Sequence, residues 1–166
     1  YEGVIECVYY NESADISSEF VTNQWYHVAI VYDGSTISSY LNGTLMNSNT
    51  TSGELSITTT DFLLGINEVT VNTFNYLDGY LDEVSLWSKA ISVDSIQYYM
   101  SNPPIENEDD LVGYWNFNQN VDDHSGNGND GTIYGDPVYS NDVPVLGCTH
   151  PNATNYDETA NVDDGS

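Results

Sequence analysis

The segment Gln24 to Gly34, QWYHVAIVYDG, followed by YLNG at Tyr40 to Gly43, constrains this chain most, because neither side of it is polar. In an extended strand Trp25, His27, Ala29 and Val31 point one way, and Tyr26, Val28, Ile30 and Tyr32 the other. A strand apolar on both sides has to be covered twice, which places it in the middle of a sheet packed on a second sheet. Asp33-Gly34 supplies the turn of a tight hairpin. The expected core is Trp25, Val28, Ile30, Leu64, Val84, Leu86 and Trp87.

Turn clusters divide the remainder into short strands, expected over Gly3–Tyr10, Glu19–Thr22, Gln24–Tyr32, Thr36–Leu41, Glu54–Thr58, Phe62–Ile66 and Gly79–Trp87. One helix is expected. Ser92 is its N-cap, Asp94 sits in the first turn, where the helix dipole favours a carboxylate, and Asn102-Pro103-Pro104 stops it. Its apolar face is Val93, Ile96 and Met100. The acidic linker IENEDD then leads into a second strand-rich piece, LVGYWNF.

Charge excludes whole classes of partner. The 166 residues carry 26 Asp and Glu against one basic side chain, Lys89, for a formal net charge of −25. No surface offers phosphates a positive field, so nucleic acid and anionic membranes are excluded as partners. Salt or bound cations have to screen the carboxylates, as on a solvated acidic surface suited to saline water, and specific divalent sites are compatible with that. The 14 Tyr and 3 Trp supply enough aromatic area for one good core. No apolar run approaches the ~18 residues of a membrane span, so membrane insertion is not expected.

The W-x-HVA-x-VYDG strand, the YLNG strand end, LLGI at Leu63–Ile66 and DGYLDEVSLWSKAIS at Asp78–Ser92 resemble, in order and spacing, the second half of a laminin-G-like (concanavalin A-like) jelly roll. The resemblance spans roughly Gly3–Tyr99. It implies an all-β, two-sheet antiparallel jelly-roll sandwich with one short helix, whose first strands are expected before Tyr1 in a longer secreted protein. LVGYWNFNQNVDDHSGNGNDGTIYG, Leu111–Gly135, is similar to segments that open or close laminin-G-like repeats of large bacterial surface proteins. It is expected to complete this sandwich, the alternative being that it begins the next repeat, because so short a piece cannot bury Trp115 and Phe117 alone. The domain is therefore expected over 1–146, completed by 111–139. The tail, 147–166, resembles a Cys-bounded motif, GCTDPxAxNYDPxAxxDDGSC, of secreted bacterial proteins. Here His150 stands in place of the usual Asp and Glu158 in place of the usual Pro, and Cys148 is expected to be without its partner. Cys7, in an apolar strand, reads as a buried thiol.

Two places have the chemistry of a calcium site. Asp123, Ser125, Asn127 and Gly128 form D-x-S-x-N-G, the first half of a loop in which short oxygen-bearing side chains alternate around a glycine turn. Tyr134 stands where an EF-hand has its bidentate Glu, so the remaining oxygens would come from Asn129, Asp130 or another strand. The alternative is a turn-forming Asn/Gly surface loop. In DGYLDEVSLW, alternation groups Asp82 with Val84 and Leu86, and a carboxylate beside apolar neighbours in a chain with one cation calls for a divalent ion, the alternative being a carboxylate held by backbone amides or pointing to water. The resemblance implies the same residue, since an aspartate on the last strand of such jelly rolls contributes to structural calcium. The metal residues expected are Asp82, Asp123, Asn127, Asn129 and Asp130. In the tail, Asp157, Asp163 and Asp164 do not fall in D-x-D-x-D-G register.

Catalysis is not expected. Laminarinase-type hydrolases of this fold use E-x-D-x-x-E to set two carboxylates on one strand face. The nearest match, Glu108 to Gly113, ends in glycine and lies in a linker. His27, His124 and His150 have no zinc spacing, and His27 reads as a core strand residue. The sequons at Asn11, Asn42, Asn49 and Asn152 are what an Asn- and Thr-rich chain contains by chance. The expected role is an extracellular, secreted or cell-surface module, calcium-stabilised, that binds a glycan or a cell-surface protein in adhesion. The alternatives are a structural spacer and a glycoside hydrolase remnant. Exposed aromatics favour binding, and aromatics that are all buried favour the spacer. Charge arithmetic yields a direct test: a divalent ion that binds the folded form stabilises it by about 2.7 kcal/mol at a hundredfold excess over its Kd. Melting in calcium should therefore exceed melting in sodium chloride of matched ionic strength. Coincident curves would reduce the acidity to a screened surface.

Overall fold

The computed structural model describes residues 3–5, 8–9, 12–13, 16–18, 20–51, 61–70, 73–141, 143–148, 150–160 and 162–163. Its strands are β1 (Gly3–Ile5), β2 (Val8–Tyr9), β3 (Glu12–Ser13), β4 (Ile16–Ser18), β5 (Val28–Tyr32), β6 (Thr36–Leu41), β7 (Thr44–Thr50), β8 (Ile66–Thr70), β9 (Thr73–Tyr76), β10 (Val84–Trp87), β11 (Leu111–Trp115), β12 (Leu146–Gly147) and β13 (Val162–Asp163), with one helix, α1 (Val93–Ser101). The fold is the all-β class with one short helix that the sequence predicts. Pairing is antiparallel except for the short β12–β13 contact.

The largest described sheet runs β5-β6-β7, and its middle strand is β6, not β5. Burial follows that order. On β6, Ile37, Ser39 and Leu41 are buried in strict alternation, and β5 opposes them with Tyr32, Ile30 and Val28 on the same face. The expectation that the apolar strand is covered twice is corrected: Ile30 is 38% exposed, and among the described residues β5 has a strand on one side only. Two other expected core residues, Leu64 and Leu86, are also exposed, while Trp25, Val28, Val84 and Trp87 are half-buried.

Both hairpin turns have local causes. Asp33 Oδ1 accepts from the backbone N–H of Ser35 and of Thr36, 2.8 Å each, while Gly34 takes φ 93°. Asn42 and Gly43 both have positive φ, 47° and 71°, the geometry of a two-residue type I′ turn. This second turn is also a hub. Asn42 accepts from the N–H of His27 at 2.9 Å and donates its own N–H back to the His27 carbonyl. Gln97 of α1 donates to the Gly43 carbonyl at 3.2 Å, and a methyl group at Gly43 would strike Gln97 and Met100.

Other expected strands shift. Phe62–Gly65 and Gly79–Glu83 are not strands; the chain pairs instead as the β8–β9 hairpin, with Ile66 opposite Tyr76. β7 is a polar strand, TLMNSNT, that apolar alternation does not reveal. Residues 20–22 are irregular, whereas Glu54–Thr58 and Cys7 lie outside the described residues. The helix forms as expected: Ser92 Oγ accepts from the Ser95 N–H at 3.2 Å, and Ile96 is buried, though Val93 is exposed.

The best-packed region lies further on. β11 pairs with β10, Val84 opposite Trp115 and Leu86 opposite Gly113. Leu111, Tyr114 and Trp115 are buried, as is Ile96 of the helix, and the ring of Trp87 lies 4.8 Å from that of Tyr99. The Trp115 ring covers Gly113 so closely that a methyl there would collide with it. A chain ending at Pro104 loses β11 and leaves β10 an open edge, so it should aggregate. A soluble 1–104 fragment with one cooperative melting transition would show that the β10–β11 pair is dispensable.

Candidate functional site

The loop after β11 is built by its own polar side chains. Asp123 Oδ1 accepts from the N–H of Tyr114 at 3.0 Å and of Ser125 at 2.9 Å; Oδ2 accepts from the Ser125 hydroxyl and the Asn129 N–H, both at 2.9 Å. Four donors fill the lone-pair positions of one carboxylate. Asn127 donates its amide to the carbonyls of Leu111 (2.7 Å) and Val112 (3.2 Å), and Asn129 donates to Val112 at 2.8 Å. Asp130 accepts from the Asp123 N–H at 2.9 Å, and Trp115 donates its indole N–H to the Asn129 carbonyl at 3.0 Å. Four of the five residues expected to hold a metal thus come together, with their polar groups turned to β11 and to one another. Among the described residues no three His, Cys, Asp or Glu are grouped closely enough to hold a metal ion.

Asp82 lies apart from this loop's bonding, just before β10. Its carboxylate accepts from the Glu83 N–H at 3.1 Å, and Glu83 has φ 51°, which breaks the strand alternation expected there. Glu83 instead accepts a short hydrogen bond from the Tyr114 hydroxyl, and the Tyr114 ring meets that of His124 edge-on at 6.2 Å. Burial raises the pKa of Asp82, opposed by the Glu83 N–H. Burial likewise raises that of Glu83, with the Tyr114 hydroxyl opposing and Asp82 adding to the rise. Burial and the Glu83 carboxylate together push the Tyr114 phenol well up. The nearest approach to a hydrolase acid pair serves structure: Glu108 accepts from the Tyr99 hydroxyl and the Ile105 N–H, and Asp110 holds Lys89 at 2.6 Å.

A different set of residues, outside the carboxylate clusters, exposes large aromatic rings around the β8–β9 hairpin. The segments on either side of the β8–β9 hairpin, 61–65 and 77–82, run together: the Leu77 N–H donates to the Gly65 carbonyl at 2.9 Å, and Gly65 faces the Leu81 side chain. Phe62 is 60% exposed and its ring lies 6.3 Å from that of Trp115. Tyr80 is 54% exposed and lies 6.2 Å from Trp25, their planes tilted by 34°. Tyr76, opposite Ile66, is 74% exposed. Exposed rings braced by a buried tryptophan, Trp115, and a half-buried one, Trp25, offer surfaces for flat apolar groups. The only signal in the sequence was F-L-L-G and Y-L-D-G-Y-L, apolar runs too rich in aromatics for turns.

The family described as the concanavalin A-like lectin/glucanases superfamily matches residues 6–97, more than half of the chain, and the chain belongs to it. That superfamily unites sugar-binding and sugar-cleaving proteins on one fold, and the fold alone does not choose between them. No curated protein matches the chain. A solved structure similar to part of it is an S-layer domain-containing protein, residues 221–444, from Clostridium thermocellum, at 27% identity and a TM-score of 0.42. The match covers 51% of this chain and 43% of that one, so the chain spans less than half the length of that structure.

Asp123 generates a prediction that holds without any metal. Burial raises its pKa, but the bonds from Tyr114, Ser125 and Asn129 outweigh that and hold it below the ordinary carboxylate value of 3.8. A lowered pKa contributes stability that is present above that value and lost as pH falls through the folded-state one. Asp123→Asn should cost about 2–3 kcal/mol at neutral pH in chelator, by removing acceptors from buried donors. It should also flatten the acid limb of the stability curve, and an unchanged acid limb in urea titrations would contradict this role.

Proposed function

We propose that this chain is a non-catalytic, extracellular module that binds glycans. The observation that supports the reading is the exposed face of Phe62, Tyr76 and Tyr80 braced by Trp115 and Trp25. Sugars present flat C–H surfaces that stack on such rings, while neighbouring polar groups orient their hydroxyls. Asp61 and Asp78, both exposed and neighbours of Phe62 and Tyr80 in sequence, offer acceptors for those hydroxyls. Adhesion through a surface glycan is the task such a module performs in a larger secreted protein. Among the described residues no helix is long and apolar enough to cross a membrane.

Calcium belongs to the proposal as a stabilising ion. Its support is the excess of 26 carboxylates over one lysine, which any bound cation relieves. Asp82 and the Asp123–Asp130 loop are its proposed positions, through carboxylate and amide oxygens not engaged with backbone donors. Calcium is not required for the aromatic platform itself.

The test is a glycan array probed in calcium and in chelator with wild type, Tyr80→Ala and Tyr76→Ala. Positives should be present in both conditions, and Tyr80→Ala should weaken them roughly tenfold, a loss of about 1.4 kcal/mol. An array blank for the folded wild type would leave a structural spacer as the role.

A further inference from the structure

We propose that the Tyr80 face selects an amine-bearing glycan, a polymer of the glucosamine class, over its N-acetylated, neutral or acidic counterparts; this rests on the glycan-binding reading above. Charge complementarity selects the occupant of this exposed surface. The single basic side chain, Lys89, is held by Asp110 at 2.6 Å, and the rest of the chain carries 26 carboxylates. A uronic or sulfated sugar therefore meets a repelling field and finds no guanidinium or free ammonium to pair with.

The same surface favours a cation twice. Asp61 directly precedes Phe62, and Asp78 lies two residues before Tyr80. Both carboxylates are exposed, as are both rings, so acids and π faces are interleaved along 61–65 and 77–82. An ammonium on a sugar ring that stacks on Tyr80 gains attraction from the aromatic face and from the adjacent carboxylate at once. N-acetylation removes the charge and leaves only the stacking term. Neutral sugars consequently bind the same rings more weakly, while a lysine-rich peptide lacks the flat C–H face that stacks on Tyr80.

The experiment measures binding of glucosamine hexamers, their fully N-acetylated counterparts, galacturonate oligomers and hexalysine to the whole chain by calorimetry, in ~0.15 M and ~0.5 M salt. The higher salt screens long-range attraction between a polyanion and any polycation, leaving contacts at the site. The amine oligomer should bind about three- to tenfold more tightly than the acetylated one at both salts. Asp78→Asn should abolish most of that preference while keeping the acetylated affinity. Tyr80→Ala should lose both ligands, and Tyr80→Phe, which preserves the ring, should restore them. Equal affinity for amine and acetylated oligomers would overturn this inference and leave the glycan-binding reading standing. No affinity for any oligosaccharide would overturn both. Hexalysine binding as tightly as the amino sugar, with the same Tyr80 dependence, would replace the glycan with a basic peptide. Amino-sugar binding indifferent to Tyr80→Ala would place the site elsewhere.

Discussion

β11 is held on both edges, and the described core depends on that. One edge pairs with β10; on the other, no strand lies beside it among the described residues, and its polar groups are met by the following loop. The N–H of Tyr114 goes to Asp123, the carbonyl of Tyr114 accepts from the His124 N–H, and the carbonyl of Val112 takes donors from Asn127 and Asn129. Unpaired backbone groups beside a buried strand cost as much as lost hydrogen bonds, so the loop substitutes for a strand. Tyr114 and Trp115 can then stay buried, and the indole of Trp115 is fixed to the loop by its own N–H.

From that strand the packing extends in two directions. Toward the helix, Leu111 and Ile96 are buried and Trp87 meets Tyr99, whose phenol is pushed up to about 12 by burial and its bond to Glu108. Toward the hairpin, Trp115 braces Phe62, so a buried core residue also supports an exposed aromatic ring. The Asn42-Gly43 turn joins the β5-β6-β7 sheet to the helix through Gln97. Stability and the proposed binding surface are therefore linked through single residues rather than held in separate regions.

The charge acts on a different scale. Carboxylates that gather several hydrogen-bond donors, such as Asp33 and Asp123, are drawn below their ordinary pKa, whereas burial raises Asp82, which has one backbone donor, and its neighbour Glu83. Asp82 and Glu83 have the opposite pH sign to Asp123: their contribution is present at low pH and lost as pH rises through the folded value. With one lysine available, hydrogen bonds from backbone and tyrosine hydroxyls do what ion pairs do in a balanced protein.

Local chemistry was legible by itself. The Ser92 cap, the Asp33-Gly34 turn, the helix length and the all-β class follow from residues within a few positions of one another, because caps and turns are short-range bonds. The amino-acid order also marked Asp123, Asn127, Asn129 and Asp130 as one polar cluster, since alternating short side chains around glycine curl back on themselves. Long-range facts were not written locally. That β6 rather than β5 is the middle strand depends on β7, whose polar residues carry no periodic signal. That Ile30, Leu64 and Leu86 are exposed depends on which neighbour covers them, and hydrophobicity does not specify a neighbour. The direction in which Asp123 and its companions point, toward the open edge of β11, and the meeting of Phe62 with Trp115 and of Tyr80 with Trp25, were decided only when segments distant along the chain were packed together.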